Sequence, residues 1–210
     1  MKKEKDYIGD IAEIRSMMER SSKFLSLSGW AGVMAGVYAL AAAYLSYAIL
    51  DFNPGEIAPS TNGLATGFPI PPQLVSLALG TLLLAIGTAV FLSQRKSSKR
   101  GEKLWNATSR RMVATMAIPL VSGGLLILIL LNNGLVGLAA PFSLIFYGLA
   151  LFAAGSFTYG AVKFLGLMEV VLGLIGTCFI GYGLLCWAIG FGVLHIVYGI
   201  YIHYRYETEM

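Results

Sequence analysis

The sequence predicts an all-α integral membrane protein with six transmembrane helices, a short N-terminal amphipathic helix and both termini in the cytoplasm. Of its 210 residues, 57% are hydrophobic and 12% are charged. The mean hydropathy of +0.73 is higher than a soluble domain of this length needs to form its core. All 15 Lys and Arg residues fall in four places, namely Lys2 to Lys23, Arg95 to Arg111, Lys163 and Arg205. Because basic residues concentrate in cytoplasmic loops, this distribution predicts both the spans and their orientation.

Residues 1–24 predict a cytoplasmic amphipathic helix, because Tyr7, Ile11, Ile14 and Met18 recur at helical spacing. Acids and bases are mixed in this segment and no apolar run directly follows Met1, so a cleavable signal peptide is not expected. We expect the helix to lie in the headgroup region beside the first span. Docking of a cytoplasmic partner is the alternative.

The first two spans are expected at about 25–50 and 73–92. The loop between them, Asp51 to Gln73, holds five of the seven prolines and no basic residue, which excludes a regular helix there and predicts the outer side. The segment Arg95 to Arg111 follows with seven bases and the single acid Glu102. That segment is the strongest indication of a cytoplasmic loop.

The remaining spans are expected at about 112–131, 138–157, 164–182 and 185–204. The turn formers Asn132, Asn133 and Gly134 separate the third span from the fourth. Between Lys163 and Arg205 lie 41 residues without Lys or Arg, enough for two spans divided by an outer turn near Gly181 to Gly183. Residues 25–204 therefore form the membrane domain, and residues 205–210 form a cytoplasmic tail.

Glu169 and His195 are the ionisable residues placed deepest within the predicted spans, and they form the candidate intramembrane site. They meet if the fifth and sixth spans pack as an antiparallel hairpin. A carboxylate in hydrocarbon is costly, so Glu169 should be protonated, paired or facing a water-filled cavity. The structural alternative is that Glu169 reaches the interface or pairs with Lys163, while His195 makes an interhelical hydrogen bond.

Metal and haem sites are not expected, and no cofactor is predicted. His203 lies eight residues beyond His195, about 12 Å along a helix, so the two cannot share one metal. We expect His203 at the membrane interface with neighbouring tyrosines. A disulfide between Cys178 and Cys186 is conceivable in an oxidising outer compartment, but their apolar surroundings favour free thiols.

A second candidate site is a basic surface for a partner or for lipid headgroups, with the exposed Trp105 as its anchor. Its residues are Arg95, Lys96, Lys99, Arg100, Lys103, Trp105, Arg110 and Arg111. Because these bases adjoin apolar spans, direct nucleic acid binding is not expected. The Gly32 and Gly36 pair favours packing within one chain over a dimer face.

Three stretches of the chain resemble a family of bacterial six-span inner-membrane proteins for which no activity is established. They are IRSMMERSSKFLSLSGWAGVMAGVYAL, GEKLWNATSRR with AIPLVSGG, and FIGYGLLCWAIGFGVLHIVYGIYIHYRYE. The resemblance implies the architecture and a bacterial inner membrane, and it assigns no catalytic residue. Genes of such proteins often accompany small winged-helix regulators, so the resemblance favours a regulatory role.

Two functions are therefore weighed. The first is a membrane-embedded regulatory or sensory component with a cytoplasmic partner. The second is a small transporter, or a protein that binds a lipid or small molecule, working through Glu169 and His195, most readily as a homo-oligomer. An enzyme is not expected, because the sequence offers no set of nucleophile, base and orienting residue.

Overall fold

A computed structural model of the chain describes residues 28–52, 71–99, 101 and 104–207. Over these residues it consists of helices joined by turns, without a strand, and six of its helices are long and apolar enough to cross a membrane. At that level the predicted fold class is confirmed. Outside the described residues lie the predicted N-terminal helix, the proline-rich loop over residues 53–70, Arg100, Lys103 and residues 208–210.

The first three spans are single helices: α1 (Gly29–Ala48), α2 (Pro72–Lys99) and α3 (Ala107–Asn132). A 3-10 turn, Val136–Leu138, leads into α4 (Ala139–Ala154), and α5 is Ala161–Cys178. The sixth span is composite and comprises a 3-10 turn (Ile180–Tyr182), α6 (Gly183–Trp187), a π-helical turn (Ala188–Leu194) and α7 (His195–Tyr206). The turn between the fifth and sixth spans thus falls at Phe179 to Tyr182, overlapping the predicted position.

Helices α2 and α3 both extend further into the basic segment than the sequence predicts. Lys96 and Lys99 lie in the last turn of α2, where cations favour the helix dipole. The α3 helix begins early because Asn106 caps it: its side chain accepts from the Ser109 N–H at 2.8 Å, and the Ser109 hydroxyl accepts from the Asn106 N–H at 2.9 Å. The predicted inner loop is therefore mostly helix.

The helices pack in an order that differs from their order in the chain. The inner set is α1, α4, α5 and the sixth span, while α2 packs on α1 and α3 packs on α4 at the outside. Little of either outer helix is covered: the buried residues of α2 are Ser93 and Ser97, and those of α3 are Ser109, Met112 and Gly123. Their apolar side chains face outward, as lipid-facing helices require.

Glycines bring α1 against the sixth span. A Cβ on Gly36 would lie 2.6 Å from the Gly192 carbonyl oxygen and 2.6 Å from Ile196 Cγ1, and one on Gly32 would lie 3.2 Å from the Gly199 Cα. The Gly32 and Gly36 pair is thus used for packing within the chain, the use that the sequence favours. This contact fixes α7 beside α1.

One end of the bundle gathers several helix termini. The start of α1, the end of α2 and the end of α7 meet there, because Glu207 contacts both Gly29 and Lys96. Tyr159, in the turn between α4 and α5, reaches Lys96 at the same end. We call this the basic end, and the α3–α4 turn at Asn133 marks the opposite end.

Candidate functional site

Glu169 lies halfway along α5, about 12 Å of helix from Ala161, and its side chain is fully buried. Its Oε1 is 3.2 Å from Nδ1 of His195, the first residue of α7. The structure thus brings together the two residues that the sequence singles out. Lys163, the alternative partner of Glu169, instead packs against Gly155, which directly follows α4.

Both ring nitrogens of His195 have hydrogen-bond partners. Nδ1–H donates to the Gly190 carbonyl at 3.1 Å, and Nε2 accepts from the Tyr147 hydroxyl at 3.1 Å. A single neutral tautomer, protonated at Nδ1, satisfies both contacts. Tyr147 comes from α4, so the predicted interhelical hydrogen bond of His195 is present. We call Glu169, His195 and Tyr147 the buried centre.

The Glu169 carboxyl group makes no hydrogen bond to any residue that the structure describes. Among the residues that the structure describes, neither Oε1 nor Oε2 has a hydrogen-bond partner, since the Nδ1–H of His195 is directed to Gly190. A buried carboxylate without hydrogen bonds is strongly disfavoured. His195, with Nδ1 3.2 Å from Oε1, is the ionisable side chain that lies against this carboxyl group.

Glycines make room for this carboxyl group. A Cβ on Gly190 would lie 2.5 Å from Glu169 Oε2 and 2.5 Å from Leu144 Cδ2. On the other side, a Cβ on Gly148 would lie 2.9 Å from the Cβ of Glu169. The carboxyl group fills the space between α4 and the π-helical turn.

The π-helical turn, Ala188–Leu194, presents an aromatic wall to His195. The Phe191 ring is stacked on the imidazole at 5.8 Å between centroids, and it also contacts Tyr147 at 4.9 Å and Trp187 at 5.1 Å. π-helical turns within α-helices occur frequently at functional sites. Here the turn supplies the Gly190 carbonyl and the ring that holds the imidazole in place.

The chain matches no protein-family model, no curated protein and no solved structure. The function must therefore be argued from the site itself. Within the described part of the chain, no group of three or more His, Cys, Asp or Glu side chains could together hold a metal ion.

A second polar cluster, which the sequence does not predict, lies at the basic end. Glu207 Oε1 accepts from Lys96 Nζ at 2.8 Å and from the Gly29 N–H at 2.9 Å, while Oε2 accepts from His203 Nδ1–H at 2.7 Å. We call Glu207, Lys96, His203 and the Gly29 N–H the end cluster. Its carboxylate ties α1, α2 and α7 together.

Burial acts to raise the pKa of Glu207, but the bonds from His203, Lys96 and Gly29 and the Lys96 charge outweigh it, so the pKa lies below its ordinary value. His203 is half-buried, and its ring lies edge-on to Trp30 at 5.4 Å. His203 and Glu207 are four residues apart, and this helical spacing favours the contact between them. Tyr147, by contrast, is one of 11 tyrosines, and nothing in its sequence context marks it.

The residues of the predicted basic surface divide into two groups. Trp105 is 66% exposed, and exposed bases flank it on the ends of α2 and α3: Arg95, Lys99, Arg110 and Arg111. Lys96 differs, because it binds Glu207 and contacts Tyr159.

Cys178 is exposed and Cys186 is buried, and both are free thiols.

Proposed function

We propose that the protein is a sensory or regulatory component of the bacterial inner membrane, with both termini cytoplasmic. In this proposal the buried centre receives a proton-linked signal and the basic end passes it to a cytoplasmic partner. One observation carries the proposal: α7 begins at His195 in the buried centre, and Glu207 of the end cluster directly follows its last residue. A single helix therefore joins the two.

The physical basis is the net charge of the centre. With one shared proton the pair is neutral, and a change in proton number places an uncompensated charge among apolar side chains. The lowest-energy response is to separate or solvate the pair, which displaces the start of α7. Because α7 is anchored to α1 by close glycine contacts, such a displacement reaches the helix ends at the basic end.

The basic end supplies a surface for the partner. Trp105 is exposed beside Arg110 and Arg111, which lie on the first turns of α3, where the helix dipole disfavours cations. Two cations at this position destabilise the start of α3, so helix stability does not explain them. Cytoplasmic orientation or recognition of an acidic partner does. Native mass spectrometry of protein extracted from its own membrane would identify a retained subunit or a second copy.

The test uses Trp105 as a distant reporter. In a protein with Trp30→Phe and Trp187→Phe, placed in nanodiscs, Trp105 fluorescence should show a transition as the pH is varied. Glu169→Gln should remove that transition, while the control Lys163→Gln, which alters an ionisable residue of the same helix, should keep it. A transition unchanged in Glu169→Gln would overturn the proposal.

A second candidate is a small proton-linked transporter. It is favoured by the unsatisfied Glu169 carboxyl group midway along a spanning helix, since such groups mark ion pathways. In proteoliposomes with an imposed pH gradient, a carrier would dissipate the gradient, and Glu169→Gln would stop this. A sensor would leave the gradient intact in both proteins.

A further inference from the structure

A groove of about 520 Å³ runs between α5 and the sixth span. It extends from Gly160 and Tyr206 at the basic end to Met168 and Leu194, which adjoin Glu169 and His195 in the chain. Its walls are apolar apart from tyrosine hydroxyls, and they include Phe164, Leu165, Val197, Tyr198 and Tyr201. The groove therefore leads from the basic end to the neighbourhood of the buried centre.

The groove opens toward the membrane. Phe164, Met168 and Val197 line it and are 73%, 49% and 58% exposed, within helices long and apolar enough to span the bilayer. The material outside these side chains is lipid hydrocarbon. An acyl chain can enter the groove sideways without leaving the apolar phase.

A cation lies at the basic end of the same helix face. Arg205 follows Tyr198 by seven residues and Tyr201 by four, so all three lie on one face of α7. Arg205 is exposed, and no ion pair is seen for it among the described residues. Lys163, by contrast, packs against Gly155, which directly follows α4, and does not line the groove.

We propose that this groove is a binding site for an anionic phospholipid. One acyl chain occupies the groove along α5 and α7, and the phosphate lies against Arg205 at the basic end. The charge of Arg205 selects an anionic headgroup, because a base near the membrane surface attracts such lipids. The chain ends beside Met168 and Leu194, so the bound lipid packs next to the buried centre.

The experiment measures lipid retained by the full-length protein in native mass spectra, after incubation with phosphatidylglycerol or with phosphatidylcholine. We expect one phosphatidylglycerol molecule to be retained in preference to phosphatidylcholine. Val197→Trp fills the groove and should abolish that retention. Ile200→Trp adds the same bulk to the same helix at an exposed position that does not line the groove, and it should retain the lipid.

The contact between Arg205 and the lipid headgroup is tested separately. Arg205 is exposed, so its substitution leaves the packing of the helices unchanged. Arg205→Gln should weaken the preference for phosphatidylglycerol about fivefold, while Arg95→Gln on α2 should not alter it. Equal retention by Val197→Trp and the unaltered protein would overturn the proposed site. Equal retention of the two lipids, unaffected by Arg205→Gln, would overturn the anionic headgroup.

Discussion

The buried centre and the end cluster use the same pair of residue types, glutamate and histidine, in opposite ways. In the end cluster, the Glu207 carboxylate accepts three hydrogen bonds, from Lys96, Gly29 and His203. In the buried centre, the Glu169 carboxyl group is less exposed and accepts none within the described residues, although His195 lies at 3.2 Å. A carboxylate that accepts hydrogen bonds at both oxygens contributes to stability, whereas a buried carboxyl group that accepts none lowers it.

This contrast separates a structural role from a functional one. The end cluster joins three helix ends and needs no further explanation than that. Replacing the side chains of the buried centre by apolar ones would remove no hydrogen bond to the Glu169 carboxyl group within the described residues. Well-packed apolar residues are also often as stable as a buried ionic pair. Its presence therefore favours a role in proton binding.

The largest expected effect is Glu207→Gln, which should lower the free energy of unfolding by about 2 kcal/mol. The substitution removes the negative charge that compensates the half-buried Lys96 and weakens the bonds to Gly29 and His203. Denaturant titration in mixed micelles measures this change. An unaltered unfolding free energy would show that the end cluster does not stabilise the bundle.

Gly190→Ala should lower the free energy of unfolding by about 1.5 kcal/mol, because its new methyl group would overlap Glu169 Oε2 and Leu144 Cδ2. The control is Gly181→Ala, where a Cβ meets no atom within 4 Å. Adding Glu169→Ala should recover part of the loss at position 190. Absence of any recovery would indicate that Leu144 alone accounts for the overlap.

Acid should remove the contribution of Glu207. Its pKa in the folded protein is lowered, so its stabilisation is present above the ordinary value of 4.5 and is lost as pH falls through the lower, folded-state pKa. The difference in unfolding free energy between the unaltered protein and Glu207→Gln should therefore shrink in acid. A difference that stays constant from neutral to acidic pH would contradict the proposed role of the ionised carboxylate.

The smallest expected effect is Glu169→Gln, which should change the free energy of unfolding by less than about 1 kcal/mol. Neutral His195 would keep its bonds to Gly190 and Tyr147, and no charge would be left unpaired. It is the same substitution as at position 207, so the two measurements form a matched pair. A loss of about 3 kcal/mol at position 169 would instead indicate an ion pair.

The sequence predicts six long apolar helices because basic clusters and hydropathy act over whole helices. It also selects Glu169 and His195, since ionisable residues within apolar stretches are rare. It does not predict the π-helical turn, because an α-helix and a π-helical turn share the same apolar composition. Nor does it predict Tyr147 as the partner of His195, because that contact depends on how α4 and the sixth span rotate against each other.

The π-helical turn also makes the buried centre depend on how the sixth span is wound. Each residue of an α-helix rotates the chain by about 100°, whereas a residue of an i→i+5 turn rotates it by less. If Ala188–Leu194 were rewound as α-helix with no residue removed, the rotational phase of α7 relative to α6 would change by roughly the angle of one residue. The span would keep its length and hydropathy, but His195 would be turned away from Glu169. The winding of one turn thus separates a span that completes the buried centre from one that is merely long and apolar enough to cross a membrane.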